Sequence, residues 1–287
     1  MKLRLTLKHM DKFHAFIKER HAIYTRRAAG QHPPWTEDTI LQSYRFCNVF
    51  RELDTVTAWI KENWRDPNAN DQDLFFAMAV ARLFNRVSTL GVIRYPVPWL
   101  PDKVAKKVLA HRDKGNTIFT GAYTVSTNGV SIDKVQYIVH QVLTPLWHNR
   151  KALRPTTGDT LARFAARLTE QRGLKGFMAG QVVCDLKYAA GSPLSHAEDW
   201  HTFAMSGPGS RRGLNRVVGR DYLAHWRESV WNDTLQRLLK HTTGLLNEEP
   251  PMHAQDLQNC LCEFDKYERV RLGEGRPRSR FKPLNKE

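Results

Sequence analysis

No stretch of this 287-residue chain approaches the ~18 to 20 uninterrupted apolar residues that cross a bilayer. Its first sixteen residues, MKLRLTLKHMDKFHAF, carry charges throughout, where a secretory signal would place an apolar core. These two absences predict a soluble, cytoplasmic protein with no membrane partner. Cysteine is scarce, with Cys47, Cys184, Cys260 and Cys262 making the four. Cys260 and Cys262 lack the spacing and the second pair of a zinc knuckle, so free thiols in a reducing compartment are expected, and no metal-ligand set. The chain has no G-x-x-x-x-G-K-[ST] phosphate loop, no G-x-G-x-x-G after a strand, no G-x-S-x-G, no H-E-x-x-H, and no H-x-E joined to a C-x-x-C. These gaps argue against a nucleotide kinase, a dinucleotide enzyme, an α/β-hydrolase, a zinc protease and a zinc deaminase.

Acidic residues are the remaining deficit. Forty-four Lys and Arg stand against 29 Asp and Glu, a formal charge of +15. Such an excess points to a polyanionic partner, above all nucleic acid. Hydrophobic residues make up 41% of the chain, enough for a real core, and eight tryptophans leave rings for base stacking.

Most of the sequence has helical periodicity. A first helix over about Leu7 to Ala29 puts Phe13, Phe16 and Ile17 on one face and stops at Gly30. Thr36 is placed to cap a second, with Glu37 and Asp38 in its first turn, running through Tyr44, Cys47 and Asn48. Asp54 is placed to cap a helix reaching Trp64. Further helices are expected at LFFAMAVARLF after Asp71 or Asp73, ending near Gly91, from Pro101 to Gly115, and over Ile132 to Trp147. Others follow at Thr160 to Gln171, Gly176 to Ala190, Tyr222 to Lys240 and Ala254 to Arg271. Residues 116–130 read as a short hairpin or ordered loop. The expected architecture is all-α, one helical domain over residues 1–273 with two lobes around a cleft. A basic C-terminal tail, residues 274–287, either trails or lies on DNA.

Four segments combine residues suited to chemistry. Ser206-Gly207-Pro208-Gly209-Ser210-Arg211-Arg212-Gly213 sits between two expected helices, Glu198 to Met205 and Arg211 to Val218. Gly207 and Gly209 suit a tight turn, Ser210 suits a cap, and the exposed N–H groups with Arg211 and Arg212 suit a phosphate. That layout resembles the helix-hairpin-helix of DNA glycosylases. In Tyr44 to Arg51, Arg45, Asn48 and Arg51 recur every three residues and would form a polar ladder for phosphate or base contacts. Gln181 and Asp185 share one face of the apolar helix GFMAGQVVCDLKY. Polar groups there need partners, so the pair is either a site, with Asp185 as a base, or an Asp holding an arginine. In LCEFDKYER, Glu263, Asp265 and Lys266 crowd one helix, a density that by itself also suits a solvated face.

Taken together, WTEDTILQSYRFCNVFRELD, FTGAY, GFMAGQVVCDL, SGPGSRRGL and LCEFDKYERVRLGEGRPR resemble the helical domain associated with phage 5-hydroxymethyl-deoxyuridine DNA kinases. The same group includes amino acid:DNA transferases, or glutamyl/putrescinyl-thymine pyrophosphorylases. The resemblance runs from about residue 10 to residue 280. It implies a DNA-glycosylase-like helical fold and a role in thymine hypermodification within the host cytoplasm. In that process a kinase pyrophosphorylates the hydroxymethyl group of a base in double-stranded phage DNA. A transferase then replaces pyrophosphate with an amine from an amino acid or polyamine. With no phosphate loop here, the transferase is the expected activity. The alternatives are a non-catalytic DNA-binding module partnering a 5-hmdU DNA kinase, and a glycosylase-like enzyme that removes the base.

Residue chemistry then suggests roles. The base must leave the stack. Arg45, Arg51, Arg211 or Lys266 would answer the charge of the departing pyrophosphate, with Mg2+ a further candidate. The incoming amine needs a proton acceptor, with Asp185 as first choice and Asp265 as second.

Overall fold

The computed structural model describes residues 6–120, 126–127, 129–248, 251–277 and 280–281. Among these the chain is helical, and its β-type pairing is an isolated antiparallel bridge between Tyr44 and Arg280. The longer helices are α1 (Met10–Ala28), α2 (Leu74–Phe84), α3 (Pro101–Asp113), α4 (Leu161–Thr169), α5 (Phe177–Leu186), α6 (Pro208–Val218), α7 (Glu228–Thr242) and α8 (Ala254–Arg271). The chain forms two compact units, one from Met1–Asp54 with Ala204–Glu287, the other from Thr55–Phe203.

In the first unit, α1, α6, α7 and α8 enclose a core of Phe13, Phe16, Ile17, Leu214, Val217, Trp231, Leu235, Leu261 and Phe264. Phe13 and Phe264 meet edge to face at 5.2 Å between centroids. The expected apolar face of α1 is the one buried. α8 is no solvated helix: Asp256, Glu263, Asp265 and Glu268 are all buried on it.

α6 lies unusually close to α8. A Cβ on Gly213 would fall 2.0 Å from the Leu261 carbonyl oxygen, and one on Gly209 would fall 3.3 Å from Cys262 Sγ. Two glycines four residues apart on one helix face thus permit the approach. Gly209 and Gly213 of SGPGSRRG therefore serve helix packing. Gly207 has extended backbone (φ −135°) as the N-cap of α6, and Gly209 lies inside the helix. The helix expected at Glu198 to Met205 is absent; that stretch is turns followed by extended chain. Tertiary partners explain the loss. Asp199 accepts the N–H groups of Leu161 (2.7 Å) and Ala162 (2.9 Å) at the start of α4. Trp200 Nε1 donates to the Lys187 carbonyl while Lys187 Nζ donates to that of Trp200. The segment is accordingly not a helix-hairpin-helix.

The second unit is built on α2, every residue of which is buried, as befits a helix apolar all round. It packs on α5. Phe75 meets Phe164 of α4, and Phe76 meets Trp99 and Trp147. Within the expected loop at 116–130, residues 121–125 and 128 lie outside the described residues, as does much of FTGAY.

Candidate functional site

The residues predicted from sequence fall into three groups. The first is the Tyr44–Arg51 segment. The helix before it, Thr39–Ser43, is capped by Asp38, whose Oδ1 accepts from Ile40 and Leu41, and ends before Tyr44. Thr36 is thus not the cap, and Arg45, Asn48 and Arg51 do not form a helical ladder. Long-range partners hold this stretch open instead. Arg20 donates to the carbonyls of Cys47 and Asn48, Asn259 Nδ2 to that of Asn48 (3.0 Å), and Lys266 Nζ to that of Arg45 (2.8 Å). The Cys47 N–H donates to Glu263 at 3.0 Å, and the Arg51 N–H to Asp256 at 3.1 Å. Glu263 and Lys266, paired at 2.5 Å, are therefore docking groups for this segment. Arg51 is buried. The Arg45 side chain is exposed and has no ion-pair partner among the described residues.

The second group surrounds α6. Ser210 is buried, its Oγ accepting from the Gly207 N–H at 2.9 Å; it caps the helix from within. Arg211 pairs with Glu228 (2.6 Å) and Arg212 with Asp265 (2.8 Å). Cations at a helix N-terminus oppose its dipole, and carboxylates of this chain answer them here, where a bound anion was expected to. Asp265 is 1% exposed and also meets Arg216 at 3.0 Å and Arg269 at 3.4 Å. A carboxylate this enclosed, with three guanidiniums around it, is committed to ion pairs within the unit.

The third group is Asp185 with Gln181 in α5, both buried. Asp185 takes Arg82 in a bidentate pair, Oδ2 to Nε at 2.7 Å and Oδ1 to Nη2 at 2.5 Å. Arg82 also donates to Thr57 (3.2 Å) and Asn85 (3.3 Å). Asp185 is fully enclosed and holds an arginine, so the role expected of it as a base is not supported. Its partner was legible in part: Arg82 interrupts LFFAMAVARLF just as Asp185 interrupts the apolar run of α5. Among the described residues no three His, Cys, Asp or Glu converge to hold a metal ion.

What the first unit does present is a pocket of about 340 Å³. Its walls include Arg20, Arg27, Trp35, Tyr44, Phe46 and Phe281, with Cys47 and Asn48 at one side. The C-terminal segment helps to form it. Phe281 donates its N–H to the Ser43 carbonyl at 3.0 Å and packs edge-on to Trp35, so at residues 280–281 the expected tail is folded back onto the unit. Glu274, placed in that tail, pairs with Arg216.

A profile of the helical domain of 5-hmdU DNA kinases matches residues 7–276. The chain belongs to this family. A 5-hmdU DNA kinase of Bacillus phage SP10 is 26% identical over 288 residues, covering 90% of this chain and 44% of that protein. The chain therefore spans less than half the length of this curated relative. No solved structure matches it. No helix among the described residues of this family member is long and apolar enough to cross a membrane.

Beside the pocket, Asp54 accepts the Asn48 N–H at 2.8 Å. Burial pushes its carboxyl up to about 6; Glu263 adds to the rise, while the Asn48 hydrogen bond, Arg20 and Arg51 oppose it. The folded value lies above the unfolded one, so the folded state holds this proton more tightly. The stability it contributes is complete below about pH 4 and is lost as pH rises through about 6. Asp54→Asn should therefore flatten the fall in stability between pH 4 and 6.5, an effect of roughly 1–2 kcal/mol at a partly exposed position. Urea midpoints at four pH values measure this, and parallel profiles for the two proteins would refute it.

Proposed function

We propose that the chain acts on DNA in phage thymine hypermodification, as an amine transferase working on pyrophosphorylated 5-hydroxymethyl-deoxyuridine. One observation carries this reading. The family match covers 7–276, yet the chain has no phosphate-binding loop with which to take a phosphoryl group from a nucleotide. In the reaction the donor nitrogen attacks the exocyclic methylene carbon. The C–O bond breaks, pyrophosphate leaves with the electron pair, and the ammonium proton passes to a base. The charge of +15 suits the DNA backbone, and Arg45, exposed and without an ion pair among the described residues, suits an anion. With Asp185 and Asp265 occupied by arginines, Asp54 is the better candidate for the proton acceptor. Its carboxyl is tuned to about 6, near the range in which a general base works at neutral pH.

A second reading is favoured by the relative's name and by the 44% of its length that the chain covers. Here the chain is a DNA-binding helical domain that works with a kinase. Nucleoside mass spectrometry of pyrophosphorylated DNA, incubated with the protein and a panel of amino acids and polyamines, separates the two. A new aminated nucleoside with released pyrophosphate is the expected result. Salt-dependent DNA binding with no product would support the second reading, and alkali-labile strand breaks would indicate base removal.

A further inference from the structure

We propose that the solvent face of α3, with Arg86 and Thr120 beside it, is the surface by which the second unit lies along the backbone of duplex DNA. The proposal rests on the DNA-modifying role for the identity of the polyanion, and on two observations for the surface. The first is a ridge of unanswered charge. Lys103, Lys106 and Lys107 stand on α3, and Lys114 is its C-cap. At ~100° per residue, Lys103, Lys107 and Lys114 fall within about 40° of arc, turned away from the buried Val104, Ala105 and Val108. Lys106 stands beside them, with Asp102 and Asp113 at the far edge.

None of the four lysines has an ion pair or hydrogen bond among the described residues. By contrast, Arg112, Arg150, Arg154 and Arg167 of the same unit are all paired with carboxylates. Helix stability does not account for the ridge. Lys103 and Lys107 are like charges at i and i+4, and lysines in the first turns oppose the helix dipole. Charge placed at such a cost fits a polyanion. α3 has no Phe, Tyr or Trp, so the ridge offers no ring to an unstacked base. That favours duplex backbone over single strand. Lys103 to Lys114 spans about 16 Å, the length over which one duplex strand passes about five phosphates at ~3.4 Å of axis each.

The second observation is a group of enclosed polar atoms next to the ridge. Arg86 Nε, His111 Nε2 and Thr120 Oγ1 are sealed from solvent and have no hydrogen-bond partner. Contacts on either side of Arg86 bring Thr120 into its neighbourhood. Phe119 stacks on Phe84 at 5.5 Å, 7° from parallel, and the Ile118 carbonyl accepts from Thr89 Oγ1 at 2.8 Å. The same loop leaves α3 beside His111, whose carbonyl accepts from Asn116 Nδ2 at 3.0 Å, and α3 packs on the short helix Val87–Ile93. Arg86 meets no carboxylate among the described residues. A guanidinium N–H and a hydroxyl without an acceptor inside the chain fit an oxygen from outside it, and a phosphodiester supplies two that share a full negative charge.

Fluorescence anisotropy of the full chain with a labelled DNA duplex, over a series of salt concentrations, tests the surface. Lys103→Ala with Lys107→Ala and Lys114→Ala should weaken binding at least about tenfold and lower the salt slope by about 2–3, since each phosphate contact contributes ~0.9. Alanine is a strong helix former, so this triple variant should melt no lower than the parent. Arg86→Gln should weaken binding at least about threefold and lower the slope by about 1, at unchanged melting temperature, because Arg86 has no partner to lose. The control is Lys12→Ala with Lys18→Ala and Lys240→Ala, which removes the same charge from the first unit. Equal losses in the two triple variants would show that net charge alone matters and would overturn the surface, as would an unchanged slope in the α3 variant. Wild-type affinity in Arg86→Gln would overturn the seat at Arg86 and Thr120. Phosphatidylserine vesicles and polyglutamate are the comparators, and tighter binding of either than of DNA, lost with the three lysines, would overturn the occupant. Two results separate this inference from the reading beneath it. Amine transfer by the α3 variant at the parent's KM for DNA leaves the transferase standing and removes the surface. DNA binding that depends on the three lysines, with no amine transfer by the parent, does the reverse.

Discussion

Asp185→Ala should cost about 3–5 kcal/mol of stability, because it leaves the Arg82 guanidinium buried without its carboxylate. Arg82 and Asp185 are 1% and 0% exposed, and the pair joins α2 to α5 at the centre of the second unit. Water cannot replace the lost partner there. A loss of that size lowers the melting temperature by on the order of 10 °C in a chain of this length. Asp185→Asn, which keeps an acceptor and loses the charge, should fall between the variant and the parent. The companion experiment is Arg82→Met with Asp185→Leu, which replaces the pair by apolar side chains and should restore most of the loss. If Asp185 were a catalytic base, Asp185→Asn would melt like the parent and form no product, and the double variant would rescue nothing. Scanning calorimetry beside the transfer assay distinguishes the two accounts.

Gly213→Ala should destabilise the first unit by about 3 kcal/mol or more. Two effects oppose each other. Alanine improves intrinsic helix stability by about 1 kcal/mol over glycine. Against this, the new Cβ would stand 2.0 Å from the Leu261 carbonyl oxygen, and backbone cannot swing aside as a side chain does. Overpacking costs 1–3 kcal/mol even where neighbours yield, so the clash wins. The separation would also draw Arg212 and Arg216 on α6 away from Asp265 on α8. Gly209→Ala is the control: its Cβ meets Cys262 Sγ at 3.3 Å, and a small shift of that side chain admits it. Its net effect should lie within about 1 kcal/mol of zero. Thermal melts of both variants decide the matter, and a neutral or stabilised Gly213→Ala would refute the close-packing role.

Much of the helical framework was legible because it is locally encoded. Phe13, Phe16 and Ile17 recur at helical spacing and are buried together, Pro101 does open α3, and the apolar run after Asp73 is a fully buried helix. Asp185 was also legible as a residue needing a partner, since an acid in an apolar helix is costly alone. Which partner it takes was not, because Arg82 lies 103 residues away in sequence.

Sequence alone determined the all-helical class, the basic character and the family, since helical periodicity, charge excess and motif order are all properties of the linear chain. Only the tertiary structure decided what the motif residues do. Gly209, suited to a turn, proved together with Gly213 to seat α6 on α8, because two backbones approach closely there. Charged residues suited to catalysis proved to neutralise one another, because each met its opposite across the fold. The segment read as a polar ladder proved extended, because Arg20, Asn259, Glu263 and Lys266 bind backbone groups that a helix would have paired internally. The pocket is assembled from residues 20 to 48 and residue 281, a distance no local pattern spans.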